Sequence, residues 1–179
     1  MSIRHFKNII PKFGEHTYID EQALVLGDVI MGKDCSLWPM AVLRGDVNSI
    51  RIGDRTNIQD GSIGHVTHHN ERYERGAGLI IGNDVTIGHR VIAHACTIGD
   101  RCLIGMGSVI LDHAMIQDEV MIGAGSLVPE NKILESGSLY LGSPFKQVRK
   151  LTAKEIEFLT YSAQHYVGLK DQYLRASKS

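Results

Sequence analysis

The sequence predicts an all-β solenoid, a parallel β-helix of six-residue repeats that ends in one C-terminal α-helix. Three observations predict this class: aliphatic residues recur at every sixth position, small residues lie two places before them, and glycine is frequent. Glycine accounts for 19 of the 179 residues, about 11%, whereas about 7% is usual. Aromatic residues make up only 6%, which favours a narrow interior with many tight turns.

The aliphatic repeat forms two long series with two pairs between them. The positions are Ile19, Val25, Met31, Leu37 and Leu43, then Ile52 and Ile58, Ile81 and Ile87, and finally Ile98, Ile104, Ile110, Ile116, Ile122, Val128 and Leu134. Neither an α-helix nor a flat strand has a period of six. A parallel β-helix does, because each short strand stacks one aliphatic side chain over the next coil. The pattern resembles that of left-handed triangular solenoids, which have three hexapeptides, roughly 18 residues, per turn.

The position two residues before each aliphatic residue holds a small or slender side chain. These positions include Thr17, Ala23, Val29, Cys35 and Ala41, and Cys96, Cys102, Ser108, Ala114, Val120 and Ser126. We therefore expect the three cysteines to be buried small hydrophobic residues, since no Cys-x-x-Cys spacing indicates a zinc cluster. A glycine often follows the aliphatic residue, as at Gly53 and Gly82, and we expect it to supply the unusual backbone angles of a corner.

The repeat is interrupted at three places. Residues 65–78, HVTHHNERYERGAG, are polar and glycine-containing and predict a loop that leaves the solenoid. One residue is missing from the count between Ala93 and Ile98, directly after His94. After Leu134 the count fails, and GSPFKQVRKL is expected to close the solenoid.

The C-terminal segment has the pattern of one helix. Thr152 and Glu155 form a possible capping box, and apolar residues follow at near-helical spacing. Those residues are Ile156, Leu159, Ala163, Val167 and Leu174. We expect a single domain, 1–179, with the β-helix at about 12–148 and the helix at about 152–175 packed against its flank.

Charge and composition exclude several classes of partner. The formal net charge is −1 and the sequence pI about 6.7, so neither nucleic acid nor an anionic membrane surface is an expected partner. No apolar run approaches the roughly 18 residues of a membrane span. The first residues lack a signal core, and with three cysteines we expect a cytoplasmic protein in a reducing compartment.

Three of the nine histidines fall on repeat coils or at the base of the loop. His65 and His94 could stack one coil apart on one face, whereas His89 lies one hexapeptide earlier, on a neighbouring face. His89 could then meet the pair of an adjacent chain if three prisms packed around a threefold axis. Three neutral imidazoles and a water form a catalytic zinc site with an open position. The alternative is that these are separate surface histidines on exposed faces.

Two stretches resemble the γ-class carbonic anhydrases: LRGDVNSIRIGDRTNIQDGSIGH at 43–65 and IGNDVTIGHRVIAHACTIGDRCLIGMGS at 81–108. The resemblance implies a homotrimer of left-handed β-helices with zinc at the subunit interfaces, Fe²⁺ or Co²⁺ being possible instead. His65 and His94 would come from one chain and His89 from its neighbour. The implied reaction is the reversible hydration of carbon dioxide to bicarbonate by a metal-bound hydroxide, whose formation at neutral pH the metal permits.

The same resemblance implies roles for other residues. Arg44, Asp46 and Asp60 resemble a charged cluster that links subunits near the metal, and a buried network of this kind would tolerate the loss of one partner poorly. Gln59 resembles the residue that hydrogen-bonds the hydroxide or the substrate. Tyr161, on the predicted helix, could reach the site as a further catalytic residue.

The sequence departs from the best-characterised members of that family at two positions. They carry glutamates where this chain has Val47 and His68, so the acidic proton-transfer pair is absent. His68 or His69 could move the proton instead, because imidazole titrates near neutrality. Two other functions stay open: a hexapeptide acyltransferase with a loop histidine as base, and a catalytically weak trimer in which the metal has a structural role.

Overall fold

The computed structural model describes residues 3–176, a parallel β-solenoid with one C-terminal helix, and it confirms the predicted fold class. The strands are β1 Ile3–Arg4, β2 Lys12–Phe13, β3 Tyr18–Ile19, β4 Leu24–Met31, β5 Ser36–Leu37, β6 Val42–Ile52, β7 Asn57–Ile58, β8 Ile63–His65, β9 Leu79–Ile81, β10 Thr86–Ile87, β11 Ile92–His94, β12 Thr97–Ile98, β13 Leu103–Ile104, β14 Val109–Ile110, β15 Met115–Ile116, β16 Met121–Ile122, β17 Leu127–Val128, β18 Ile133–Leu134, β19 Ser138–Leu141 and β20 Lys146–Lys150. The helix α1 is Ala153–Ala176. No helix within these residues is long and apolar enough to cross a membrane.

The strands form three faces. The helix face is the eight-stranded sheet β3, β5, β7, β10, β13, β16, β19 and β20, in which only β20 is antiparallel. The histidine face consists of the first halves of β4 and β6 with β8, β11, β14 and β17. The third face consists of the second halves of β4 and β6 with β9, β12, β15 and β18. The long strands β4 and β6 run around the corner between the last two faces.

The regular coils bury the predicted aliphatic series. On each face the paired residues are one coil of eighteen residues apart, as in Thr97↔Met115, Leu103↔Met121 and Val109↔Leu127. From Ile98 to Leu134 every residue of the series is 1% exposed or less. The three cysteines, which the repeat places in the small inward positions, are buried as free thiols, as predicted.

The glycines that follow the aliphatic residues have a different cause from the one predicted. The left-handed backbone conformation lies two residues later, on Arg55 (φ 54°) and Asp84 (φ 56°). A Cβ atom on Gly53 would lie 2.7 Å from the carbonyl carbon of Gly82 in the next coil. Close stacking of coils, rather than a corner backbone angle, therefore requires glycine at these positions, and the prediction was wrong on this point.

The helix α1 packs against the helix face. Its first turn has the predicted capping box, because the Thr152 N–H donates to Glu155 Oε2 (2.8 Å) and the Glu155 N–H donates to Thr152 Oγ1 (3.3 Å). Leu159 and Ala163 are fully buried. The indole of Trp38, at the end of β5, meets the ring of Tyr166 on the helix at 5.7 Å between centroids. These contacts fix the position of the helix over the solenoid.

The first coils depart from the regular repeat in three ways, by a bulge, a loop and a missing residue. All three lie at the corner between the histidine face and the third face. Between Gly45 and Ile50 the register against β4 shifts, so residues 46–49 bulge outward. The loop 66–78 leaves the same corner between β8 and β9. The missing residue lies here too, because Ala93 pairs with Ile110 but Thr97 pairs with Met115. We call residues 44–49, 65–67, 93–96 and 111–113 the site corner.

Candidate metal centre

His65 and His94 lie together at the site corner. Each is the last residue of its strand, β8 and β11, and the two residues are directly paired across the parallel ladder. Their rings meet edge to face with centroids 5.2 Å apart. The two histidines therefore stack one coil apart on the same face, in the arrangement that the repeat count predicts.

Hydrogen bonds fix which nitrogen of each ring carries the proton. The His65 Nδ1–H donates to the carbonyl oxygen of Arg44 (2.7 Å), and the His94 Nδ1–H donates to Asp112 Oδ1 (2.5 Å). A carbonyl and a carboxylate only accept, so the Nε2 atom of each neutral ring keeps its lone pair. Burial lowers the pKa of His65, which favours the neutral ring that binds metals. Both side chains are thus prepared to ligate through Nε2.

His89 lies at the opposite edge of the histidine face. It follows β10, and its Nδ1–H donates to Asp60 Oδ2 at 2.9 Å, so its Nε2 is also left as the acceptor. The extended strand β11 separates it from His94 by on the order of 15 Å. Within residues 3–176, no group of three His, Cys, Asp or Glu side chains is close enough to hold a metal ion. A site built from all three histidines requires a second copy of the chain.

A groove beside His89 runs between the helix face and α1. Gln59 lines it, is 5% exposed, and donates from Nε2 to Asn57 Oδ1 at 3.0 Å. Tyr166 lines the same groove. Tyr161 is 63% exposed and meets Phe158 and His165 at the outer side of the helix. In one chain, therefore, Gln59 lies beside a candidate ligand and Tyr161 does not line this groove.

Known proteins are similar to this chain in sequence, and solved structures are similar to it in fold. The family described as bacterial transferase hexapeptide (six repeats) matches residues 78–112 and 95–130. Protein YrdA of Escherichia coli (strain K12) is 54% identical over 172 residues, 96% of this chain and 94% of that protein. A crystal structure of a hexapeptide transferase family protein from Anaplasma phagocytophilum has a TM-score of 0.88 at 38% identity, covering 96% of this chain and 97% of that one.

Two further relatives decide the family. Carbonic anhydrase of Geobacillus kaustophilus (strain HTA426) is 42% identical over 171 residues, 96% of this chain and 90% of that protein. Gamma carbonic anhydrase 2, mitochondrial, of Arabidopsis thaliana is 40% identical over 159 residues, 89% of this chain and 57% of that protein. The chain belongs to the γ-class carbonic anhydrase family. The resemblance read from the sequence motifs is thereby confirmed.

The charged cluster of this γ-class family member is divided between two corners. Arg44 donates to Asp46 Oδ2 at 2.7 Å, next to His65. Burial alone would raise the pKa of Asp46, but the hydrogen bond and the charge of Arg44 lower it below its usual value. The other oxygen, Oδ1, is buried without a hydrogen-bond partner and lies 4.0 Å from His65 Nδ1. Asp60 stands apart from this pair, at the corner where it binds His89.

The two candidate proton shuttles lie in the loop 66–78. His68 and His69 are both exposed. The Nδ1–H of His69 donates to the carbonyl oxygen of Glu74 within the same loop. Val47, on the bulge of the site corner, is 48% exposed. The loop thus presents imidazoles to solvent near the corner that carries His65 and His94.

Two residues at the sites escaped the sequence interpretation. Asp112, which binds His94, is 9% exposed. Burial alone would raise the pKa of its carboxyl, but hydrogen bonds from Thr67 and His94 lower that pKa below its usual value. Asp112 stands eighteen residues after His94, whereas Ala93 pairs with Ile110 only seventeen residues later, so the regular repeat count does not align the two. Tyr166 stands three residues after Ala163, so the helical period favours the face turned to the solenoid, and its contact with Trp38 gives it its place beside the groove.

Proposed function

We propose that this protein holds a divalent metal ion between copies of the chain in a homotrimer and reversibly hydrates carbon dioxide to bicarbonate. The observation that carries the proposal is the state of the three histidines. In each of them the Nδ1–H donates to a carbonyl or carboxylate oxygen, which leaves the Nε2 lone pair free. Three unrelated surface histidines would not be expected to share this arrangement.

The donor set fits zinc. Three neutral imidazoles with their second nitrogen anchored by a carboxylate or carbonyl are typical of a catalytic zinc site, and Fe²⁺ or Co²⁺ accept the same donors. His65, His94 and a neighbouring copy's His89 would hold the ion. When bound, the metal supplies Lewis acidity that brings the pKa of water near 7.

The histidine face supports the trimer. It carries His65 and His94 at one edge and His89 at the other, so copies packed through this face around a threefold axis would bring each His89 to a neighbour's pair. Outward side chains on or beside the face are apolar and exposed: Ile63 at 41%, Ile92 at 38% and Met40 at 69%. Such apolar surface is typical of a protein interface.

The remaining residues then have specific tasks. Gln59, whose carboxamide Asn57 orients, would hydrogen-bond an oxygen of the carbon dioxide or bicarbonate beside His89. Arg44 with Asp46 on one edge of the face and Asp60 on the other would link neighbouring subunits near the ion. His68 or His69 would accept the released proton in solvent, and Tyr161 would act from the outer side of its helix on a neighbouring copy. The unpaired thiols fit a reducing compartment, and we propose the cytoplasm.

Metal analysis with a matched histidine control tests the proposal. We expect about one zinc or iron per chain in the wild type and in His5→Ala, a change at an exposed histidine. His89→Ala should lose the metal while sedimentation still shows largely trimeric protein, because the apolar face is unchanged. Stopped-flow hydration of carbon dioxide, on protein purified anaerobically with iron, should follow the metal content.

Each contrary result favours a different function. A native protein without metal would contradict the proposal, and acyl transfer from an acyl-thioester donor by that protein would favour a hexapeptide acyltransferase. A fully metallated trimer without hydration activity would favour the structural role that Val47 and His68 leave open.

A further inference from the structure

Asp112 binds two partners, one in the preceding coil and one at the base of the loop 66–78. Its Oδ1 accepts the His94 Nδ1–H at 2.5 Å, and its Oδ2 accepts the hydroxyl of Thr67 in a short hydrogen bond. The residue is 9% exposed, so little water competes for either oxygen. Both oxygens of one buried carboxylate therefore accept a hydrogen bond, one from a histidine and one from the base of the loop.

We infer that Asp112 is a positioning residue for His94, and that Thr67 holds Asp112 in place. The inference rests on the proposed function in one respect, that His94 is a metal ligand. A carboxylate on Nδ1 selects the tautomer with a free Nε2 and fixes the plane of the ring. Asp112 would do both for His94.

The shortened coil explains why Asp112 can reach His94. The coil of His94 lacks one residue after Ala93, whereas the next coil has its full length at the same corner. That longer corner contains one additional residue between Ile110 and Met115, and Asp112, which lies there, reaches the strand end at His94. The deletion that breaks the repeat is also what brings this carboxylate over the ring.

Thr67 ties the arrangement to the ejected loop. Its backbone N–H and carbonyl pair with Ala77 at 2.9 and 3.0 Å, and its carbonyl also accepts from Asn48 Nδ2 at 3.3 Å. Because these hydrogen bonds close the base of the loop, the Thr67 hydroxyl is held in position beside Asp112. His94 is therefore positioned by two elements, the next coil, which carries Asp112, and the loop, which carries Thr67.

The other two histidines have weaker or less specific support. His65 relies on the backbone carbonyl of Arg44, which no side-chain substitution removes. His89 relies on Asp60, whose side chain is 50% exposed, so water can replace it. Among the three, His94 is the ligand whose support a substitution can remove most completely.

Three variants and one control test the inference. Asp112→Leu removes the acceptors and keeps the branched shape of the side chain, Asp112→Asn keeps an acceptor oxygen without the charge, and Thr67→Val replaces the hydroxyl by a methyl group. Glu157→Gln, at an exposed helix position, is the control for loss of a carboxylate. The two readouts are zinc affinity, by competition with a chromophoric chelator, and the tautomer of His94, by nitrogen-15 NMR of metal-free, histidine-labelled protein.

We expect zinc affinity to fall roughly 10- to 100-fold in Asp112→Leu, with His94 shifted toward the Nε2–H tautomer. Asp112→Asn should recover the Nδ1–H tautomer and part of the affinity, which a merely structural role would not produce. Thr67→Val should weaken zinc binding by about tenfold at most, and Glu157→Gln should bind like the wild type. If Asp112→Leu does not fold, Asp112→Asn and Thr67→Val still decide the question.

The two proposals fail in different ways. If wild type binds zinc and neither Asp112 variant changes affinity or tautomer, the positioning role is overturned while the metal site stands. If wild type binds no zinc but the His94 tautomer depends on Asp112, the metal site is overturned and the support of the ring by Asp112 stands.

Discussion

The regular coils between Thr97 and Leu134 and the site corner are built from the same repeat and differ in how strictly they keep it. In the regular coils every paired residue is eighteen positions from its partner. The site corner has a bulge, a loop and a deletion within three successive coils. The interior is the same in both, since Leu43, Ile50 and Leu79 beside the site corner are as buried as Ile110. The repeat thus forms the same buried core in both regions. Its interruptions change only the outer surface, where they place polar side chains.

The largest effect should come from the buried core of the regular coils. Ile116→Ala should lower the free energy of unfolding by about 2–5 kcal/mol, because it leaves a cavity among the closely stacked aliphatic side chains of the core. Ile133→Ala, the same change at a 62% exposed position on the same face, should cost less than about 0.5 kcal/mol. Urea unfolding followed by circular dichroism measures both, and folded Ile116→Ala should keep the metal content of the wild type. Equal costs for the two variants would show that the inward stack does not stabilise the coils.

For each thiol, a smaller effect on the free energy of unfolding should appear with pH. It should be similar in both regions because the inward-facing thiols are equally buried. Burial raises the pKa of Cys35 to about 11 and those of Cys96 and Cys102 to about 12, whereas an exposed thiol titrates near 8.5. Above about pH 8.5 the unfolded chain loses protons that the folded chain keeps. The resulting stabilisation is complete below that pH and declines as the pH rises toward 11 or 12.

By pH 10 the loss should be on the order of 1–2 kcal/mol for each thiol. Urea unfolding at pH 7.5 and pH 10 measures it. Cys96→Ala, at the shortened coil, and Cys102→Ala, in the regular coils, should each reduce the difference between the two pH values by a similar amount. An unfolding free energy that is unchanged between pH 7.5 and pH 10 would rule out buried neutral thiols.

The regular coils could be predicted almost completely from the sequence, and the site corner only in part. A period of six is visible in the aliphatic residues, and the stacking of His65 on His94 follows from counting coils. The reason for the glycines was mistaken because the contact between Gly53 and Gly82 depends on the spacing of the coils, which no single repeat contains. Asp112 was missed because its pairing with His94 crosses the deletion.

Other parts of the site depend on placement beyond the repeat. The rotation of α1 decides whether Tyr161 or Tyr166 faces the groove beside Gln59, and the side chains of Trp38 and its neighbours set that rotation. Within one chain His89 lies on the order of 15 Å from His94 along the length of β11, so its proposed partners belong to another copy of the chain. The hexapeptide repeat of one chain does not specify how copies of the chain assemble.

The most direct test of the shared site is complementation between two variants. His89→Ala chains keep the His65–His94 pair, and chains with His65→Ala and His94→Ala keep His89, so each variant alone should form metal-free trimers. Trimers that contain both kinds of chain, isolated by two affinity tags after co-expression, should recover one intact interface in three and about one metal ion per trimer. Mixed trimers without metal, or metal retained by either variant alone, would contradict a site shared between neighbouring chains.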